Sequence, residues 1–259
     1  MTSDTTSSDT TGSGVPATAT TFGEDTVTDA RELIARYPQS RSALLPLLHL
    51  VQSVEGYVSQ QGMTFCAEQL GLAEAEVAAV ATFYTMYKRK PCGEHLVSVC
   101  TNTLCAAMGG DAIYKRLQEH LGSDGAPLGH EEVAGPPGES GSLMLEHAEC
   151  LAACDLAPVL QVNYEYFDNQ TEQSAVELVD ALRRGDKPHP TRGAPLSDFK
   201  TVERRLAGLL PEDDDEFWTE VDGPSQAVET VRGAQLAADR NWTAPPAPED
   251  VPMPEVEAK

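Results

Sequence analysis

Four of the six cysteines in this 259-residue chain fall into two close pairs. The first is Cys100-Thr-Asn-Thr-Leu-Cys105, a C-x4-C. The second is Cys150-Leu-Ala-Ala-Cys154, a C-x3-C that begins 45 positions after Cys105. Thiolates paired in this way, once a fold brings the pairs together, have three uses: an iron–sulfur cluster, a zinc ion or two disulfides. Structural zinc favours tight C-x2-C knuckles, because one ion needs every ligand at about 2.3 Å. A [2Fe–2S] rhomb is wider and takes two ligands on each iron, so looser pairs suit it better. Spacing thus ranks a cluster first, zinc second, and disulfides or plain buried thiols third. Six cysteines are too few for a disulfide-dense secreted scaffold. The N-terminus has neither the basic nor the apolar region of an export signal. Thiols kept reduced are therefore expected, which favours metal or cluster over disulfide.

The other candidates for chemistry are weaker. Cys66, in Phe65-Cys66-Ala67, lies on an apolar face and reads as a small buried side chain. Cys92, eight residues before Cys100, is a potential fifth thiol, but two pairs already fill four ligand positions, so it reads as a non-ligand. Of the six scattered histidines, His147 is nearest in sequence to Cys150 and reads as a satisfied strand histidine. Gly109-Gly110 predicts a turn or a close backbone approach. No G-x-G-x-x-G follows a strand and no P-loop is present, so the chain is expected to bind neither NADH nor flavin by itself.

The elements that must position the cysteines follow from hydrophobic periodicity. Around the pairs the order predicted is strand (95–99), helix (106–121), strand (142–147), adjacent strands (158–163 and 164–168) and helix (172–184), with a polar loop between 121 and 142. This is α/β layering over residues 91–186. Thr171-Glu-Gln-Ser opens an amphipathic helix that Gly185 closes. Ahead of it, residues 28–90 read as a small helical bundle. Asp29 with Glu32 suggests one helix start. A second helix, from Ser40 or Ser42 to Gly56, is apolar nearly all round and reads as the bundle's buried centre. Two more are expected near 64–70 and 74–83. The segment Thr82-Phe-Tyr-Thr-Met-Tyr-Lys-Arg-Lys90 is aromatic and then basic. It suits either a helix end with cations on its dipole or a contact with another protein.

Both ends change composition. Residues 1–27 read as a disordered tail, since the first 21 include 12 Ser or Thr. Residues 187–259 hold ten of the 18 prolines and the acidic run Glu212-Asp-Asp-Asp-Glu216. They read as a mostly disordered acidic tail in which only 199–210 forms a short amphipathic helix. Phe217-Trp218 is a candidate docking peptide within a solvated tail. A formal net charge of −23 argues against nucleic acid or an anionic membrane surface as direct partner and favours a basic partner face. No run of 18 apolar residues is present, so no membrane span is expected.

Several of these motifs occur together in one known order. Cys100-Thr-Asn-Thr-Leu-Cys105 with Gly109-Gly110, then Glu149-Cys150-Leu-Ala-Ala-Cys154-Asp-Leu-Ala157-Pro158-Val159, then Val162-Asn163, closely resemble the small [2Fe–2S] subunit of bacterial NADH-quinone oxidoreductase, respiratory complex I. Upstream, Arg36-Tyr-Pro-Gln-Ser-Arg-Ser-Ala-Leu-Leu-Pro-Leu-Leu and Ala81-Thr-Phe-Tyr-Thr-Met-Tyr87 resemble the same family. The resemblance spans roughly residues 28 to 186. It implies a thioredoxin-like ferredoxin domain after the helical bundle, with Cys100, Cys105, Cys150 and Cys154 as ligands of one [2Fe–2S] cluster. It further implies an electron-transfer role in the NADH dehydrogenase module. There the cluster would exchange an electron with the flavin of a neighbouring subunit that holds FMN and binds NADH. The chain would touch other peripheral-arm subunits and lie on the cytoplasmic side of the membrane, with no complete active site of its own. Related [2Fe–2S] subunits of NAD-linked formate dehydrogenases and hydrogenases, or a structural zinc-binding module, are the alternatives. The sequence departs from the commoner family pattern at Ala106-Ala107, Cys66 and Cys92, while all four ligand positions match.

Overall fold

The structure, a computed structural model, describes residues 22–210 and 228–243. The Ser/Thr-rich stretch 1–21, the acidic run 212–216 and the candidate docking peptide Phe217-Trp218 lie outside the described residues. The described chain divides into two compact units. One holds the described chain up to Glu94, Gly135–Ser142 and residues 197–210. The other holds His95–Ala134 and Leu143–Leu196, and the described residues from 228 on fall with it.

The first unit is helical: α1 (Glu24–Ala35), α2 (Leu44–Glu55), α3 (Gln60–Leu70) and α4 (Glu74–Phe83), with a 3-10 turn at Ser40–Ala43 leading into α2. Leu44, Leu47, Leu48, Leu50 and Val51 of α2 are buried, as its apolar circumference predicts. Gly56 closes α2 and Gly71 closes α3, both at positive φ, where a Cβ is costly. α1 starts at Glu24 rather than in the expected region of Thr28, with Glu24 and Asp25 in its first turn favouring the helix dipole. α3 begins before residue 64 because Ser59 caps it, its hydroxyl accepting from the Gly62 N–H at 2.9 Å. In the aromatic–basic segment, Phe83 is 77% exposed and Tyr84 42% exposed, whereas Tyr87 and Lys88 are buried. The Tyr87 hydroxyl donates to the Leu45 carbonyl at 3.0 Å, and the Lys88 N–H donates to Gln52 at 2.6 Å, so α2 fixes this segment.

Residues beyond 186 were expected to be mostly tail, yet α8 (Phe199–Leu206) belongs to the helical unit. Asp198 caps it, accepting from the Thr201 N–H at 3.0 Å. Glu203, fully buried, lies 2.6 Å from His49 Nδ1 on α2. Lys200 Nζ donates to the Val54 carbonyl at 2.8 Å, and Arg204 pairs with Asp29 at 2.7 Å. Proline-rich flanks conceal this packing, because it depends on partners far away in the chain. A further helix, α9 (Val228–Asp239), also lies within the expected tail; its described side chains are largely exposed.

The second unit is a five-stranded mixed sheet with helices. Its strands are β1 (His95–Cys100), β2 (Glu132–Ala134), β3 (Leu143–Ala148), β4 (Leu160–Val162) and β5 (Glu165–Phe167), in the order β2-β3-β1-β4-β5. β1 and β3 are parallel, with Cys100 opposite Ala148; the other neighbours are antiparallel. α5 (Thr103–Ala107), α6 (Gly110–Leu121) and α7 (Glu172–Arg183) complete it. The helix expected over 106–121 is thus two pieces broken at Met108 and Gly109. Ile113, Leu117 and Leu121 of α6 join Ala175, Val179 and Leu182 of α7 and Val97, Val99, Leu143, Leu145, Leu160 and Val162 in one core. Thr171 and Ser174 cap α7 reciprocally, each N–H donating to the other's hydroxyl at 2.9 and 3.1 Å. The polar loop 122–141 contains β2, a three-residue edge strand too short to give a periodic signal.

The packing of α8 generates a stability prediction. Glu203→Ala should leave His49 without its carboxylate partner and open a void. It should destabilise the helical unit by about 3 kcal/mol in chemical denaturation, the sum of an orphaned buried donor and a small cavity. A change below about 0.5 kcal/mol, the range of ordinary surface substitutions, would mean that α8 is not part of that unit's fold.

Candidate metal centre

The parallel pairing of β1 and β3 sends both strands out at the same end of the sheet. Each is followed there by a cysteine loop. Cys100 is the last residue of β1 and Cys105 lies in α5. Cys150 and Cys154 follow β3 by two and six positions. The loops are tied together: the Thr101 N–H donates to the Ala148 carbonyl at 3.1 Å, and the Asn102 side-chain amide donates to Glu149 at 2.6 Å. The Cys100 N–H donates to the Val159 carbonyl at 3.1 Å, which adds the strand entry after the second pair.

All four predicted thiols come into one neighbourhood. Cys100 and Cys105 hydrogen-bond through their thiols, and Cys154 lies close enough to act electrostatically on both. Cys150 Sγ is 3.3 Å from Cys154 Sγ. All are free thiols. Cys100 and Cys105 are buried in a small apolar cluster with Ala153, Ala157 and Val159, whereas Cys150 and Cys154 are exposed. Among the described residues no three His, Cys, Asp or Glu side chains gather around a point as one metal ion would require. The four thiols thus stand as two pairs, Cys100 with Cys105 and Cys150 with Cys154.

The backbone sets the character of each sulfur. Burial pushes the Cys105 thiol up to about 11, against a backbone hydrogen bond from Val159 that favours its thiolate. The Ala152 backbone hydrogen-bonds Cys150 and, with the Cys154 thiol, holds Cys150 below the usual thiol range. Cys154, as donor to Cys150, is raised. The Ala152 N–H serves the Cys150 sulfur and the Val159 N–H serves that of Cys105. The Thr101 hydroxyl points instead toward the Ala148 carbonyl, at a long 3.5 Å.

Gly110 explains why the first loop can close. A Cβ there would lie 2.4 Å from the Cys100 carbonyl oxygen and 2.9 Å from that of Cys105. Gly109, at φ +113°, turns the chain into α6. The expected close approach is therefore present, and its partners are the cysteine carbonyls themselves.

The remaining candidates lie elsewhere. Cys66 is fully buried and pushed up to about 12 by that burial, an unreactive thiol in the helical core. Cys92 belongs to the helical unit, where its N–H donates to the Gly56 carbonyl at 3.2 Å. His147 packs on His130 with ring centroids 4.3 Å apart and meets Tyr114 edge-on, which is a structural setting. Sequence reasoning missed Tyr166, whose hydroxyl donates to the Leu151 carbonyl inside the C-x3-C loop at 2.6 Å. Nothing local marks a strand tyrosine as a loop anchor.

Comparison with known proteins gives concordant matches. The family model described as "Thioredoxin-like [2Fe-2S] ferredoxin" matches residues 30–183. The chain is 55% identical over 220 residues to the E subunit of NADH-quinone oxidoreductase from Mycobacterium bovis, covering 85% of this chain and 82% of the relative. It is 31% identical over 185 residues to "NADH dehydrogenase [ubiquinone] flavoprotein 2, mitochondrial" of Dictyostelium discoideum, covering 70% of each. It is 35% identical over 165 residues to the E subunit of NADH-quinone oxidoreductase from Rickettsia bellii, covering 62% of this chain and 93% of that one.

The loop geometry makes two outcomes measurable. Gly110→Ala should force the Cys100 and Cys105 carbonyls apart and cost about 2 kcal/mol of stability, within the usual range for overpacking, measured by denaturant titration; an unchanged midpoint would refute the close approach. In reduced protein without metal at mildly alkaline pH, Cys150 should be alkylated first and Cys105 last of the four, because the thiolate is the reacting form. Mass spectrometry of an iodoacetamide time course reads the order, and early modification of Cys105 would contradict it.

Proposed function

Because this chain belongs to the thioredoxin-like [2Fe-2S] ferredoxin family, we propose that Cys100, Cys105, Cys150 and Cys154 hold one [2Fe–2S] cluster and that the chain is an electron-transfer subunit of an NADH-quinone oxidoreductase. The observation that carries the reading is the meeting of the two thiol pairs at the shared end of β1 and β3. The names of the relatives support the assignment of the complex.

When bound, the cluster would accept and release a single electron. The protein's part is to bind, position and tune it. The two loops present the thiols in pairs, one buried and one exposed. The Val159 and Ala152 N–H groups stabilise negative charge on sulfur, which raises a potential, while a net charge of −23 opposes reduction and lowers it. The exposed Cys150–Cys154 edge is the side through which an electron reaches a partner with least intervening protein. That partner is a neighbouring flavoprotein that carries FMN and binds NADH, with further peripheral-arm subunits beside it, on the cytoplasmic side of the membrane. Among the described residues no helix is long and apolar enough to cross a membrane.

Anaerobically purified protein should contain iron and acid-labile sulfide in equal amounts, about two of each per chain as the cluster type requires. Reduction with dithionite should give a rhombic spin-half signal near g = 2, a value set by one unpaired electron shared between two coupled irons, and redox titration a negative midpoint. Colourless protein with bound zinc would overturn the electron-transfer reading; a clearly positive midpoint would overturn the account of its tuning.

A further inference from the structure

The C-x3-C loop is held from behind by side chains that no ligand assignment uses. Tyr166 on β5 packs against the apolar cluster that contains Cys100, Cys105, Ala153, Ala157 and Val159. Its hydroxyl donates to the Leu151 carbonyl. That carbonyl and the Ala152 N–H belong to a single peptide unit, which is planar and rigid. The Ala152 N–H hydrogen-bonds Cys150. Fixing one end of the unit therefore fixes the direction of the other. The conformation has a cost: Ala152 sits at φ +61°, a left-handed position that a non-glycine residue occupies at an expense of order 1 kcal/mol. Something must offset it, and the Tyr166 bond is in place to do so.

Tyr166 is in turn held by a strap just past α7. The guanidinium of Arg192 lies 3.8 Å from the centre of the Tyr166 ring. Arg192 grips the buried carboxylate of Asp168 with two hydrogen bonds, Nε to Oδ2 at 3.0 Å and Nη2 to Oδ1 at 3.2 Å. The Thr191 N–H donates to the Tyr166 carbonyl at 2.9 Å, and the backbone at Arg192 bridges to Tyr166 as a strand would. β5 ends the sheet, so this strap occupies its open edge. Gly193, at φ +99°, leaves the edge where a Cβ would lie 2.3 Å from a Glu165 oxygen. Arg192 lies beyond the residues 30–183 that the family model matches.

We infer that Tyr166 is a positioning residue for the C-x3-C loop, orienting the Leu151–Ala152 peptide so that its N–H faces Cys150, and that Arg192, clamped by Asp168, holds the Tyr166 ring in place. The consequence for a bound cluster rests on the function proposed above; the bracing of the loop does not.

The test uses full-length Tyr166→Phe, which keeps the ring and its contacts and removes one hydroxyl, and Arg192→Gln as a second variant. In metal-free protein, hydrogen exchange over 150–156 should speed up about fivefold in Tyr166→Phe, the equivalent of one hydrogen bond of about 1 kcal/mol, with α6 and α7 protection unchanged. Arg192→Gln should give a smaller change in the same peptides. In reconstituted protein the Tyr166→Phe change should alter the g-values of the reduced centre and speed iron loss to a chelator roughly tenfold, as loss of an outer partner of a metal ligand does. Loop exchange equal to wild type, or faster exchange spread evenly over the unit, would overturn the inference. If wild-type protein takes up no cluster, the proposed function fails, and the metal-free exchange arm still decides the role of Tyr166.

Discussion

The parallel pairing of β1 with β3 is the constraint on which the cysteine site depends. Parallel strands in register place Cys100 beside Ala148, so the chain leaves both strands at one end of the sheet and the two loops must share that space. Cysteines far apart in the chain become neighbours by that single choice of direction. An antiparallel pair would send the loops to opposite ends and separate the thiols. Ligand sites outside the carboxyl ends of parallel strands are a general outcome of α/β architecture. Closure then demands a residue without a side chain, and Gly110, seated against the Cys100 and Cys105 carbonyls, supplies it.

The two pairs differ in a way that suits two tasks. Cys100 and Cys105 are anchored in apolar surroundings, where burial disfavours the Cys105 thiolate. Cys150 and Cys154 stand at the surface on a short loop, their geometry set by the Ala152 peptide and the Tyr166 hydroxyl. One side of the site is thus fixed by burial, and the other by directed hydrogen bonds that leave it open to a partner. The strongly acidic chain supplies a negative background against which each N–H aimed at sulfur counts.

What the sequence made legible was local. The Gly56 stop and the helix opening at Thr171 are properties of a few adjacent residues, and the structure places them as expected. The glycine pair was legible as a need for close approach, though not its partners. What escaped was non-local. α8 packs on α2 through Glu203 and His49, a pairing across 154 positions that a proline-rich stretch conceals. β2 is three residues long and exists because β3 offers an edge. Tyr166, Asp168 and Arg192 converge only once β5 and the strap lie side by side.

Four particular thiols, and no others among six, are assigned to the cluster. Single serine replacements at Cys66, Cys92, Cys100, Cys105, Cys150 and Cys154, each read by electron paramagnetic resonance of the reduced protein, test that assignment most directly. A lost or altered signal is predicted for Cys100, Cys105, Cys150 and Cys154, and an unaltered one for Cys66 and Cys92. A signal that survives unchanged without one of the four, or that changes with Cys92, would contradict it.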